Sequence, residues 1–196
     1  GVYAGNALNI GANNLTINSG GIFQLVGENF TMSGTFSNDG TFKLRGNETV
    51  TLTQDTNSGT WAHGGLSGQS QSYTIKDFGA TDYYNLLISA GFTTGMDTFS
   101  SGAAKVVAGT FTINGSGSQY NSNGFALTVA GLTTMGARIF NTGSATQTFN
   151  AGLNHTGGSI VAGTGTLDIN GNYTQTSGAI SGGSGNITVS GNWLFS

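Results

Sequence analysis

The chain has 196 residues and a formal net charge of −3, with only 7% charged residues, no cysteine and no proline. Without cysteine there is neither a disulfide framework nor a thiolate metal site. The few basic residues form no stripe that could follow a phosphate backbone, which argues against nucleic acid as a partner, and no run of about twenty apolar residues is present to insert into a membrane.

Glycine (35 residues) and abundant serine give the chain a low-complexity look. Disorder, however, goes with high net charge and few apolar groups, whereas 12 Phe, 6 Tyr and 2 Trp are available here for a core. The absence of proline suits a chain built from central strands, because proline cannot donate to a hydrogen-bond ladder. The chain begins at Gly1 without a signal-peptide pattern and so reads as a processed chain or an excised piece.

From the N-terminus, short threonine-rich strands are predicted at "LTI" (15–17), "FTM" (30–32), "FKL" (42–44), "VTLT" (50–53) and "YTI" (73–75), at irregular spacing. Further on, Phe111 and Ile113 in "GTFTI" fill the same kind of slots as Leu127 and Val129 in "FALTV", sixteen residues later. From there the register settles at twenty. "GTLDINGNY" (165–173) returns as "GNITVSGNW" (185–193), matching Leu167 with Ile187 and Tyr173 with Trp193. Phe140, Ile160 and Ile180 make one column, Gly143, Gly163 and Gly183 a second, and Phe149, Ile169 and Val189 a third. Leu153, Tyr173 and Trp193 make a fourth.

A period of twenty is too short for a strand–helix–strand unit. Alternation is clear in "TLDIN", where Leu167 and Ile169 share one face and Asp168 lies on the other. Antiparallel hairpins would repeat at larger, paired intervals, whereas a single-coil period stacks each repeat on the last. The fold class is therefore all-β, a parallel β-solenoid. One solenoid is expected over residues 1–196, with irregular coils over 1–80 and regular coils over 81–196, the repeat being firm after about residue 105. About ten coils at the inter-strand spacing give a rod of roughly 45–50 Å.

"TDYYNLLIS", "GTFTINGSG", "GFALTVAG" and "GTLDINGNY" resemble the repeats of filamentous-haemagglutinin-like and autotransporter-like β-helical proteins of bacterial surfaces. The resemblance covers residues 81–196 well and the first eighty weakly. It implies a right-handed helix, secretion to the cell exterior, and a role as a stalk, fibre or adhesin. That family supplies no catalytic residues to carry over.

No catalytic, cofactor or metal site emerges from the residues themselves. His63 and His155 lie far apart without a repeated acidic partner and are expected in surface turns. Asp77 and Asp82 in "KDFGATDYY", beside Tyr83 and Tyr84, form the best candidate for a carbohydrate-contacting patch, with a solvated loop anchored by aromatic packing as the simpler expectation. "GGSGNITV" (182–189) imitates the start of a calcium-binding nonapeptide, but its ligand slot holds Ile187, which has no oxygen to offer calcium. Sequons at Asn14, Asn29, Asn47, Asn114, Asn154, Asn172 and Asn186 offer glycosylation sites, although strand composition alone would generate most of them.

The outward Thr/Asn positions, represented by Thr112, Thr128, Thr148 and Thr188, form a candidate ligand face for glycans or ice, interrupted by Ala126, Asp168 and Asn186. The termini suggest self-assembly. "GVYAGNALNI" offers Val2, Tyr3, Leu8 and Ile10, and the chain closes on Trp193, Leu194 and Phe195 with no charge after Asp168. Natural solenoids cover such ends with polar caps. The expectation is thus a non-enzymatic, extracellular homopolymer subunit contacting further copies of itself head to tail, with a ligand-binding solenoid as the alternative.

Overall fold

The computed structural model describes residues 7–66, 68, 70–91, 95–136 and 138–196. Among them every element is a strand, and every strand pairing is parallel. None of the described residues forms a helix long and apolar enough to cross a membrane. The chain is a β-solenoid.

One nine-stranded sheet runs the length of the molecule, from Ile22–Gln24 at one edge to Trp193–Phe195 at the other. Each strand belongs to one turn, so the described residues form nine turns, not ten, in a stack about 40 Å tall at the usual inter-strand spacing. A six-stranded sheet (Ser72–Ile75 to Ala179–Ser181) and a five-stranded sheet (Lys105–Val107 to Ile187–Val189) supply the other two faces of the later turns. In the first turns their places in chain order are taken by a three-stranded sheet starting at Leu8–Gly11 and a two-stranded pair, Leu15–Ile17 with Phe36–Asn38.

The strands form because alternate residues bury an apolar side chain, and small or polar residues turn the corner between them. Phe140 pairs with Ile160 and Ile160 with Ile180. Phe149, Ile169 and Val189 align likewise, as do Leu153, Tyr173 and Trp193. Phe140, Phe149, Leu153, Ile160, Ile169 and Tyr173 are fully buried, while Ile180 and Val189, in the last turn, are half-buried. Burying a side chain of this size contributes about 1.5–3 kcal/mol, so each internal turn is stabilised by the turns above and below it. Thr148 and Asp168 lie on the outer surface, between buried neighbours.

The glycine columns have a steric cause. A Cβ at Gly163 would overlap the carbonyl of Gly143, and one at Gly183 would overlap that of Gly163. Side-chain-free corners let successive turns approach to hydrogen-bonding distance.

Turn length varies where the sequence pattern is loose. Thr41 pairs with Thr60, a step of 19 residues, whereas Thr60 pairs with Asn85 and Leu86 with Phe111, steps of 25. Phe111 pairs with Thr133, and Leu127 with Lys105, each a step of 22. The sixteen-residue spacing of "GTFTI" and "FALTV" is therefore not a shortened turn. Phe111–Ile113 belongs to the nine-stranded sheet and Leu127–Val129 to the five-stranded one, so the two segments are consecutive sides of the wall. Similar strand sequences on two faces made a one-face reading look natural.

Aromatic rings fill the interior of the irregular early turns. Phe42 and Trp61 lie 4.4 Å apart by ring centroids, Trp61 also packs on Phe36, Phe78 and Tyr83, and Phe23 and Phe30 close the cluster. Here the face between Phe36–Asn38 and Lys105–Val107 has no continuous strands, only a single bridge from Tyr83 to Val107. Irregularity in the sequence thus marks a region held by aromatic packing instead of by a complete ladder.

Candidate functional site

The acidic residues are mostly engaged by the backbone. Glu48 accepts hydrogen bonds from the amides of Gly27, Arg45 and Gly46 at 2.7–2.8 Å, fastening one turn to the next. Asp97, fully buried, accepts from the amides of Leu66 and Gln71. Asp55 accepts from Asn38 and Asn57. Charge-assisted bonds of this kind offset the burial of a carboxylate. Several sequon asparagines serve similarly, with Asn14, Asn29 and Asn172 accepting from the amides of Thr35, Thr49 and Asn192 in the following turn.

The Asp77/Asp82 segment is not the surface patch expected for carbohydrate contact. Asp82 and Tyr83 are fully buried and Tyr84 is half-buried, while Asp77, Gly79 and Ala80 are exposed. Asp82 Oδ1 accepts from the Phe78 amide and Oδ2 from the Val106 amide, both at 2.8 Å. Its own carbonyl accepts from Gln54 Nε2, and Tyr83 Oη donates to the Lys76 carbonyl. The reason is topological: Tyr83 makes the bridge to Val107, so the chain on either side of it is drawn against the wall.

Lys105 completes this cluster. Its side chain is wholly buried, and Nζ lies 3.8 Å from Asp82 Oδ1 and 3.7 Å from Asp77 Oδ1. Burial pushes the Asp82 carboxyl above the usual carboxylate range, against the backbone hydrogen bonds and the lysine charge. Asp77 is held below that range, chiefly by the Gly79 amide and then by a hydrogen bond to Asp82. Sequence reasoning assigned Lys105 no role. The signal was present: in "AAKVV" it sits two residues before Val107, in an inward slot, and it pairs with Leu127.

Both histidines point inward, contrary to the surface-turn expectation. His63 pairs with Ile88 in the nine-stranded sheet and His155 with Met135. Both fill inward slots of strands and are buried. Neither ring nitrogen of His63 has a hydrogen-bond partner, and burial lowers its pKa to about 4. His155 Nδ1 shares a hydrogen bond with Tyr173 Oη at 2.9 Å. Its pKa is also lowered by burial. No group of three His, Cys, Asp or Glu side chains that could hold a metal occurs among the described residues.

On the outer surface, Thr128, Thr148, Asp168 and Thr188 stand in register as one row of the five-stranded sheet, continuing from Val106. Thr188 Oγ1 donates to Asp168 Oδ1 at 2.8 Å. Thr112 is not part of this row: it lies on the nine-stranded sheet between Leu87 and Thr134. Leu167 and Ile187, the calcium-slot residues, pair directly as apolar neighbours on the inner side. A shallow, mostly polar groove of about 410 Å³ lies over Thr35, Ser37, Gln54 and Asp55, where the wall lacks its middle strand.

At the last turn Trp193, Leu194 and Phe195 are exposed, Phe195 to 70%. Trp193 stacks on Phe195 and meets Tyr173 edge-on. At the opposite end Leu8 and Ile22 are exposed and Ile10 is half-buried, while Val2 and Tyr3 lie outside the described residues. No known protein family, curated protein or solved structure matches this chain.

Proposed function

We propose that the chain is a structural, non-enzymatic segment of an extracellular fibre or adhesin stalk, in which solenoids continue one another end to end. The observation that carries this reading is the geometry of the last turn. Trp193–Phe195 keeps the parallel register of every strand before it, paired on one side with Tyr173–Gln175, and presents three large apolar side chains on the surface. A parallel edge of this kind is completed by another coil. The apolar Leu8 at the opposite end, in register with buried Phe30, offers a complementary surface. Head-to-tail contact is heterologous and does not close, so it produces filaments. Secretion and a surface location follow from the same reading, as does the neutral Thr/Asn exterior.

Sedimentation velocity and negative-stain imaging over a range of concentrations test it. Filaments are expected from the intact chain, and folded single particles from a Trp193→Asp, Phe195→Asp variant. A chain that stays monomeric at high concentration, with both ends protected from hydrogen exchange, would overturn it.

The aligned row Thr128, Thr148, Asp168 and Thr188 supports a second reading, in which the solenoid binds a periodic ligand such as a surface glycan or ice. Retention on polysaccharide, or thermal hysteresis, that is lost in Thr148→Tyr would favour it.

A further inference from the structure

The Lys105–Asp82–Asp77 cluster is unusual in placing an amine and a carboxyl group together in the protein interior. A buried ion pair carries a desolvation cost that its attraction does not always recover. Condensing the pair to an amide removes both charges. We propose that Lys105 and Asp82 form an intramolecular isopeptide bond that staples two consecutive turns of the solenoid, with Asp77 as the proton carrier.

The geometry favours this step in three ways. Lys105 Nζ and Asp82 Oδ1 are 3.8 Å apart, and both side chains are fully buried. They are fixed by the Lys105–Leu127 pairing and the Tyr83–Val107 bridge, so little motion is needed to reach attack distance. The Phe78 and Val106 amides hold one carboxyl oxygen each, so they already donate where negative charge grows in the tetrahedral intermediate. Asp77 lies 3.7 Å from the same nitrogen and is partly exposed, connecting the site to solvent.

In the reaction the Asp77 carboxylate takes a proton from the Lys105 ammonium, and the free amine attacks Asp82 Cγ. The new C–N bond forms as one C–O bond breaks. Two of the three ammonium protons go to the departing oxygen, carried by Asp77, and the third stays on the amide nitrogen. Ammonium plus carboxylate give amide plus water, with no oxidant or co-reactant. The raised pKa of Asp82 is in keeping with a carboxyl group that is poorly stabilised as an anion.

Intact-mass measurement of the purified, folded chain tests the proposal. The expected mass is one water below that of the sequence. Trypsin should pass Lys105 uncut, and cleavage of the denatured chain after Phe99 should leave the two pieces joined. Lys105→Ala should restore the full mass. Asp77→Ala, folded by circular dichroism, should remain unlinked or link far more slowly. Asp82→Asn should still close the bond but lose ammonia in place of water, which distinguishes the bond from a succinimide at Asp39–Gly40. The full sequence mass in the folded parent chain, or a water loss that persists in Lys105→Ala, would refute it.

Discussion

Gly163 lies directly over Gly143, so close that a methyl group on the upper residue would collide with the lower carbonyl. The obstacle is backbone, which cannot rotate aside as a side chain can. Gly163→Ala should therefore destabilise the fold by about 3 kcal/mol, the upper part of the range for overpacking. Gly91, whose added Cβ would meet nothing within 4 Å, provides the control. Gly91→Ala should stay within about 0.5 kcal/mol of the parent or gain slightly from a less flexible unfolded chain. Urea midpoints of the two variants would decide whether close approach of turns, and not glycine content, sets stability.

His63 makes stability fall in acid. In the unfolded chain a histidine protonates near pH 6.5, whereas buried His63 resists until about 4. The unfolded state thus binds more protons between these values. The full contribution is present above pH 6.5 and is lost as pH falls toward 4, amounting to about 3 kcal/mol. His63→Leu, which matches Leu44 in the preceding turn, should flatten that dependence and raise stability at pH 7 by removing two unpaired buried nitrogens. Unfolding curves at pH 7 and 4.5 for both proteins would show it; an unchanged pH slope would contradict the assignment.

Glu48 joins Gly27 to the Arg45–Gly46 corner through three backbone hydrogen bonds. Glu48→Ala should cost about 1.5–3 kcal/mol, since it leaves three amides without their acceptor. Glu48→Gln, retaining one good acceptor oxygen, should cost about half as much. Equal losses in the two variants would mean that the side chain acts by packing alone.

Metal removal should leave the protein unchanged. The carboxylates Glu48, Asp55, Asp82 and Asp97 are all taken up by backbone amides. The melting temperature in chelator should equal that in buffer. A drop restored by calcium would contradict this.

The solenoid was legible in the sequence because its physics is local and repeated. Once a strand pairs with its own equivalent one turn later, the columns Phe140/Ile160/Ile180 and Phe149/Ile169/Val189 can be read directly from a twenty-residue offset. The glycine column followed the same offset, although its cause, contact with the carbonyl below, is visible only in three dimensions. What sequence could not reveal was which face each strand joins. "GTFTI" and "FALTV" carry similar alternation, so Thr112 was grouped with Thr128 until pairing placed them on different sheets. Alternation assigns inside and outside but is silent about the neighbouring wall.

The same limit governed the polar residues. His63, His155, Asp82 and Lys105 have side chains that normally seek water, and isolated in sequence they read as surface groups or went unnoticed. Only the tertiary structure buried them, because each occupies an inward slot whose direction is set by the strand's pairing and not by its own polarity. Composition and period therefore determined the fold class and most of the core. The stacking of unequal turns alone decided that an amine and a carboxyl group, 23 residues apart in the chain, would face one another in the interior.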